Sequence, residues 1–335
     1  MLRVEEFDYE LPEELIAQKP VEPRDLSRLM VVNRETGKIE HRIFRDIIEY
    51  LKPNDLLVFN VTKVIPARLY ARKITGANVE ILLLEKVDGR KWKCLVKPGR
   101  KVKPGTELMG TTFKVRCVER GEEGTRILEF DDVVENIIER EGKTPLPPYV
   151  HEEIELDSYQ TVYAKVAGSV AAPTAGLHFT PELLDKIRSM GVEFAEVVLH
   201  VGIGTFRPIK NPFIEEHEMH SERYMIDEEN ALKIWKAKEE GRRIVAVGTT
   251  SVRVLETVAM EGRKKRYQGE TSLFIYPPFE FKMTNALITN FHLPRSTLLV
   301  LVSTFVGREL VMRAYSEAIR ERYRFYSLGD ACLFV

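Results

Sequence analysis

Residues able to move protons or hold anions cluster in a few short stretches. Ala167–His178 (AGSVAAPTAGLH) holds four Ala and two Gly in twelve residues and carries Thr174 and His178. Backbone this bare lets a ligand approach closely, or lets chain pack tightly on a sheet. Functional side chains favour such loops. Leu199–Phe206 (LHVGIGTF) places His200 near the end of an expected strand. Its G-x-G is not a dinucleotide fingerprint, because Pro208 and Pro212 follow where a helix would have to start. His217–Glu222 (HEMHSE) spaces two histidines at i, i+3, without the i, i+4 face of the zinc metalloprotease motif and with no obvious third ligand.

Val245–Arg253 (VAVGTTSVR) reads as a strand that feeds a helix within Thr249–Ser251. The free N–H groups and hydroxyls of such a helix start attract a carboxylate or phosphate, and Arg253 adds charge. A well-capped helix would look the same. Thr289–Arg295 (TNFHLPR) groups Asn290, His292 and Arg295 on an expected loop before an apolar helix. Arg90–Lys103 (RKWKCLVKPGRKVK) carries seven Lys/Arg and no acid, with Trp92 interleaved. Charge of this kind contacts phosphates, and an aromatic ring stacks on an unpaired base. A solvated strand face around a core Trp is the plainer alternative.

The elements that must position these residues fall into two textures. Up to residue 60 the chain alternates: Arg28–Asn33 reads as a strand, His41–Leu51 as a helix with stripe Ile43, Phe44, Ile47, Ile48 and Leu51, and Asp55–Asn60 as a buried strand. Short strands then follow at Ile65–Arg72, Asn78–Lys86, Lys91–Val96, Thr112–Val118 and Thr125–Phe130, separated by Gly and Pro. That pattern predicts a small all-β barrel or sandwich. A helix over Asp132–Glu141 and a proline-rich connector, Thr144–Tyr149, come next.

Helix–strand alternation then resumes, with Thr180 and Asp227 as helix N-caps and a helical C-terminal region over Leu298–Tyr323. The expected fold is an α/β (α+β) main domain formed by both chain ends, 1–61 and 156–335, with an inserted barrel-like β domain over 62–155.

Bulk composition excludes much else. The 335 residues are 44% hydrophobic and 30% charged, enough for a real core of about two domains. Three dispersed cysteines form no CxxC pair, which argues against a disulfide framework or a cysteine zinc site. The acidic N-terminus lacks a signal-peptide core and the longest apolar run is about ten residues, so a soluble cytoplasmic protein without membrane contact is expected. The net charge of −1 hides an asymmetry: +8 over 62–130, −7 over 131–160 and −2 over the rest. The basic block points to nucleic acid.

From these residues alone, three readings stay open. One is an RNA-acting enzyme with a small-molecule cosubstrate. Another is a metal-dependent hydrolase using His217 and His220. The third is a non-catalytic RNA-binding protein.

Ordered blocks of sequence add a resemblance. Phe7–Val32, Leu56–Leu69, Ser169–Thr180, Leu199–Pro208, Met219–Tyr224, Val245–Glu256, Phe274–Lys282, Leu287–Leu299 and Tyr323–Ala331 together resemble the S-adenosylmethionine:tRNA ribosyltransferase-isomerase family of queuosine biosynthesis. Val61 stands where that family usually has Asp, Ile203 replaces a usual Ala and Leu328 a usual aromatic.

The resemblance implies transfer and isomerisation of the ribosyl group of S-adenosylmethionine onto 7-aminomethyl-7-deazaguanine at the tRNA wobble position. The product would be epoxyqueuosine-tRNA, with adenine and methionine released and no metal expected. Such chemistry needs a base for the proton beside the sulfonium and a donor for the departing adenine, steps suited to histidine. The candidates are His178, His200, His220 and His292, with Glu222 as an alternative base. Thr249, Thr250, Ser251 and Arg253 would hold the methionine carboxylate, Thr174 and Asn290 the adenine or ribose, with Arg295 as a further substrate contact. Lys91, Trp92, Lys93, Arg100 and Lys101 would contact tRNA.

Overall fold

The computed structural model describes residues 1–202 and 208–335. The chain begins with β1 (Arg28–Val32) and β2 (Ile39–Ile43), then β3 (Leu56–Asn60) and the short β4 (Thr62–Val64). Six strands follow: β5 (Arg68–Lys73), β6 (Asn78–Lys86), β7 (Lys91–Lys97), β8 (Glu107–Met109), β9 (Lys114–Arg120) and β10 (Arg126–Phe130). After α1 (Val134–Glu141) come β11 (Val166–Ser169), α2 (Pro181–Ser189), β12 (Glu193–Leu199), β13 (Glu222–Ile226), α3 (Glu228–Glu239), β14 (Ile244–Val247) and α4 (Thr249–Glu261). The chain closes with β15 (Tyr267–Thr271), β16 (Ala286–Asn290), α5 (Thr297–Val306), α6 (Arg308–Arg320) and β17 (Ala331–Phe334).

Nine of these strands form one mixed sheet in the order β15-β13-β12-β3-β14-β16-β17-β1-β2. Its centre, β12-β3-β14-β16, is parallel, with Asn60 opposite Val197 and Val247 opposite Ile288. β3 and β14 are buried along their whole length, as expected of parallel strands covered on both faces. Two apolar clusters fill those faces, one around Leu56, Val58 and Ala246, the other around Leu57, Phe59 and Val245. The chain leaves this sheet after β3 and returns as β12, the direct parallel neighbour of β3. Val61 lies in the second cluster and is 3% exposed, so its apolar side chain is part of the packing.

The barrel occupies the interval between them. It closes in the order β10-β7-β6-β5-β8-β9, all pairs antiparallel. Alternate residues point inward, and Leu69, Ile81, Trp92, Cys94, Val115 and Leu128 fill its centre. Val134 and Ile137 of α1 pack onto the same cluster.

One element departs from expectation. His41–Leu51 is not one helix: Ile39–Ile43 is the edge strand paired with β1, and Phe44–Glu49 is a 3₁₀ helix. The strand uses the first residues, leaving too little chain for an α-helix before Lys52-Pro53. The apolar pair Phe44 and Ile47, both 0% exposed, fits the three-residue period of the tighter turn. The C-terminal region is two helices separated at Gly307. Among the described residues no helix is long and apolar enough to cross a membrane.

Candidate active site

The parallel strands end together at one side of the sheet, the usual place for a ligand in such folds. A cleft of about 600 Å³ lies there. Thr174, Gly248, Thr249, Thr250, Asn290 and His292 line it, and Tyr149 and Tyr326 add an aromatic wall. No Asp, Glu, Lys or Arg is among its described lining residues.

Three sequence stretches build this wall. The small-residue run places Ala172–Ala175 at the cleft and turns as a 3₁₀ helix over Thr174–His178. Its bareness is used for packing too: a Cβ on Gly176 would sit 1.8 Å from the hydroxyl oxygen of Tyr163. The second stretch is the β14–α4 turn. Gly248 has φ +89°, a conformation side chains resist, and no side chain caps α4. The Thr250 hydroxyl is buried and has no hydrogen-bond partner among the described residues. An uncapped helix start beside an unpartnered hydroxyl is suited to an anion such as a carboxylate.

The third stretch, after β16, brings Asn290 and His292. Asn290 is held from behind. Its amide N–H donates to His178 Nε2 (3.1 Å), and Thr174 donates to its Oδ1 (3.3 Å). His178 Nδ1 bonds Ser27 Oγ at 2.7 Å, and its ring stacks on Phe44. With Nε2 accepting, the proton sits on Nδ1 and is given to Ser27. His292 Nε2 bonds Thr289 Oγ1 at 2.9 Å. Two tyrosines clamp its backbone: Tyr9 donates to the carbonyl and the amide donates to Tyr315. With the proton on Nε2, the Nδ1 lone pair of this cleft-lining ring is available.

Other candidates lie elsewhere in the structure. The Arg253 guanidinium is buried against the Glu222 carboxylate and also donates to the carbonyls of Thr271 and Leu273. Glu222 further accepts from the Gly202 amide at 2.7 Å. Neither is among the cleft-lining residues: Arg253 lies one turn into α4, where Glu222 of β13 and the Thr271 and Leu273 carbonyls take its guanidinium. Ser251 is fully buried and donates back to the Val247 carbonyl.

His200 also stands off the cleft, bonded to Thr62 at 2.8 Å, because strand alternation sends it opposite to Val201. His220 is half-exposed and faces Glu123 of the barrel at 3.3 Å. Arg295 pairs with Asp8 at 2.6 Å. His217 packs edge-on against Phe274, and the described residues include no His/Cys/Asp/Glu group able to hold a metal. In the LHVGIGTF stretch, residues 203–207 lie outside the described residues.

On the barrel, Lys91, Lys93, Leu95 and Lys97 alternate outward along β7. Lys91 is paired with Glu129 at 3.5 Å, while Arg100 and Lys101 are exposed in the following loop. Trp92 is 7% exposed and belongs to the barrel core, which removes it as a stacking platform.

The sequence over residues 4–334 matches the family model described as queuosine biosynthesis protein. The chain belongs to that family. It is 63% identical over 335 residues to the S-adenosylmethionine:tRNA ribosyltransferase-isomerase of Thermotoga petrophila, covering 100% of both chains. A relative of the same name from Thermosipho melanesiensis is 60% identical, covering 99% of each. The crystal structure of S-adenosylmethionine tRNA ribosyltransferase from Thermotoga maritima is 53% identical, with a TM-score of 0.59 over 98% of this chain and 100% of that one.

In this queuosine biosynthesis protein, several site residues carry no motif in the sequence. Tyr149 comes from the proline-rich connector, bonds Ser327 and packs on Tyr326 with ring centroids 4.9 Å apart. Burial raises its hydroxyl to about 12. Ser27 lies some 150 residues from the histidine it orients. Only the dense YRFYSLGDA block marks part of this wall.

His292 in the cleft and His178 behind Asn290 are both neutral. Burial, with Arg24 and Arg324 adding to it, lowers His178 to about 3, and burial alone lowers His292 to about 3. The unfolded chain binds both protons below about pH 6.5, whereas the native state resists them to about 3, so acid favours unfolding across that window. At pH 5 each imidazole should cost the native state ~2 kcal/mol. Thermal unfolding between pH 7.5 and 5 should therefore flatten in a His178→Asn/His292→Asn variant. An unchanged slope would refute the assignment.

Proposed function

We propose that this protein transfers and isomerises the ribosyl group of S-adenosylmethionine onto 7-aminomethyl-7-deazaguanine at the tRNA wobble position, yielding epoxyqueuosine-tRNA, adenine and methionine. The observation that carries this is one uncharged cleft where an uncapped helix start, a locked amide and a neutral histidine meet, in a chain of the queuosine biosynthesis family. The start of α4 and the Thr250 hydroxyl hold the methionine carboxylate. Asn290, its amide orientation set by His178, and Thr174 take hydrogen bonds from the nucleoside. Tyr149 and Tyr326 supply an aromatic wall.

His292 takes the proton from the carbon beside the sulfonium. A cationic imidazole would repel the sulfonium and could accept nothing; burial keeps the ring neutral. The imidazolium so formed can pass the proton on to the departing adenine. His178 is a positioning residue, since it touches the cleft only through Asn290. Incubation with S-adenosylmethionine and tRNA carrying the deazaguanine base tests the whole reading. Adenine and methionine should appear together with no methylated product; methyl transfer to RNA would overturn it.

Residues 62–155 act as the tRNA-facing unit, and 1–61 with 156–335 as the catalytic one. Lys93, Arg100 and Lys101 supply backbone contacts, with Lys91 weakened by Glu129. Replacing those three by Gln should weaken tRNA binding and lower the salt slope of log K by about 2 if each meets one phosphate. Trp92→Phe should leave RNA affinity unchanged, because the ring is in the barrel core. A slope that stays at the wild-type value places the RNA on another face.

A further inference from the structure

A second, much smaller and partly open depression adjoins the cleft and shares Ser327 with it. Arg24, Ser27, His178 and Ser327 form its polar side, and Leu177 and Leu328 part of its apolar side. No acidic residue is among its described lining residues. A guanine-like base, whose N–H edge calls for a carboxylate, is therefore a poor occupant.

Its positive charge is held mainly by carbonyls and only loosely by carboxylates. The Arg24 side chain is 13% exposed, and its guanidinium donates to the carbonyls of Asp157, Ser158 and Gln160. The nearest carboxylate oxygen, on exposed Glu22, is 3.9 Å from Nε. Arg324 likewise donates to a carbonyl, that of Lys19, and both guanidinium charges act on His178. Arg24, held by carbonyls beside a neutral imidazole, gives the wall a positive group that still has an N–H to offer, while Arg324, outside the lining, is coupled to the buried Asp330 carboxylate.

We propose that this cavity binds a phosphodiester of the RNA, the one next to the nucleotide presented to the cleft. The inference rests on the tRNA-modifying reading above. The cosubstrate's single carboxylate is already matched by the start of α4, whereas RNA brings an anion with every nucleotide. Arg24 moreover ties down residues 157–160, part of the chain returning from the basic barrel. The cavity fixes the register of the RNA, and the cleft reads the base.

The test uses the full enzyme and an anticodon stem-loop carrying the deazaguanine base. One phosphodiester flanking the wobble nucleotide is replaced by an uncharged methylphosphonate. Loss of that charge on one side should weaken binding about tenfold, and Arg24→Gln should cost a similar factor. Combined, the two changes should cost little more than either alone, which a merely structural role of Arg24 would not produce. Inorganic phosphate should compete with the stem-loop and not with S-adenosylmethionine.

Fully multiplicative losses, no effect at either flanking phosphate, or competition with S-adenosylmethionine would each overturn the subsite. Failure to modify the unaltered stem-loop would instead sink the functional reading itself.

Discussion

His292→Ala should lower the single-turnover rate of ribosyl transfer by about 10²-fold or more, the usual worth of a positioned general base. The loss should fall on the chemical step, leaving binding of S-adenosylmethionine within a few-fold, because the helix start and Asn290 remain. The backbone of residue 292 is clamped through its own amide and carbonyl, so removing the ring leaves the loop anchored by Tyr9 and Tyr315. The pH profile gives a second check. With His292 near 3, the wild-type rate should show no descending limb at the ordinary histidine value of 6.5. A variant that turns over at close to the wild-type rate would remove His292 from the mechanism.

Arg253→Ala should destabilise the protein by ~3–5 kcal/mol, because it strands the Glu222 carboxylate in the interior without its cation. The pair is 3% and 5% exposed, and it joins α4 to β13 while Arg253 also holds two carbonyls near β15. The prediction separates two roles that the sequence left equal. If Arg253 held the methionine carboxylate, its loss would raise KM for S-adenosylmethionine in a protein of normal stability. If it holds α4 against the sheet, unfolding in urea shifts first, and Arg253→Met/Glu222→Met recovers much of the loss. A stable Arg253→Ala enzyme with KM raised about 100-fold would reverse this placement.

What could be read from the sequence tracks how local each signal is. The barrel strands are separated by Gly and Pro at short intervals, and their alternation is visible within each strand. Asn78–Lys86 has the expected bounds, and the caps at Thr180 and Asp227 are where hydroxyl and carboxylate side chains predict them. His41–Leu51 was misread because an apolar stripe serves a short 3₁₀ turn as well as an α-helix, and strand pairing with β1 decided between them.

The cleft was half legible for a related reason. Thr174, Thr249, Thr250, Asn290 and His292 sit at strand ends, where polar loops signal themselves. Depth was not legible: Arg253 lies one turn further along α4 than Thr249, and the Glu222 carboxylate on β13 takes up its guanidinium. His200, just past β12, bonds Thr62, while its neighbour Val201 lines the cleft. Tyr149 and Ser27 reach the site by long-range packing that leaves no trace in spacing.

The insertion between β3 and β12 bears on how the chain assembles. Paired residues of these neighbours, such as Asn60 and Val197, are 137 positions apart, a long loop to close before their contacts form. The barrel shortens that search. Its entry and exit are pinned together where Arg68 pairs with Lys143 through two backbone hydrogen bonds. A barrel that forms first, from hairpins closed over a few residues, brings the two ends of the detour close together. The interruption then acts in the order of folding as a clasp, which lets a high-separation parallel pairing proceed almost as a local one.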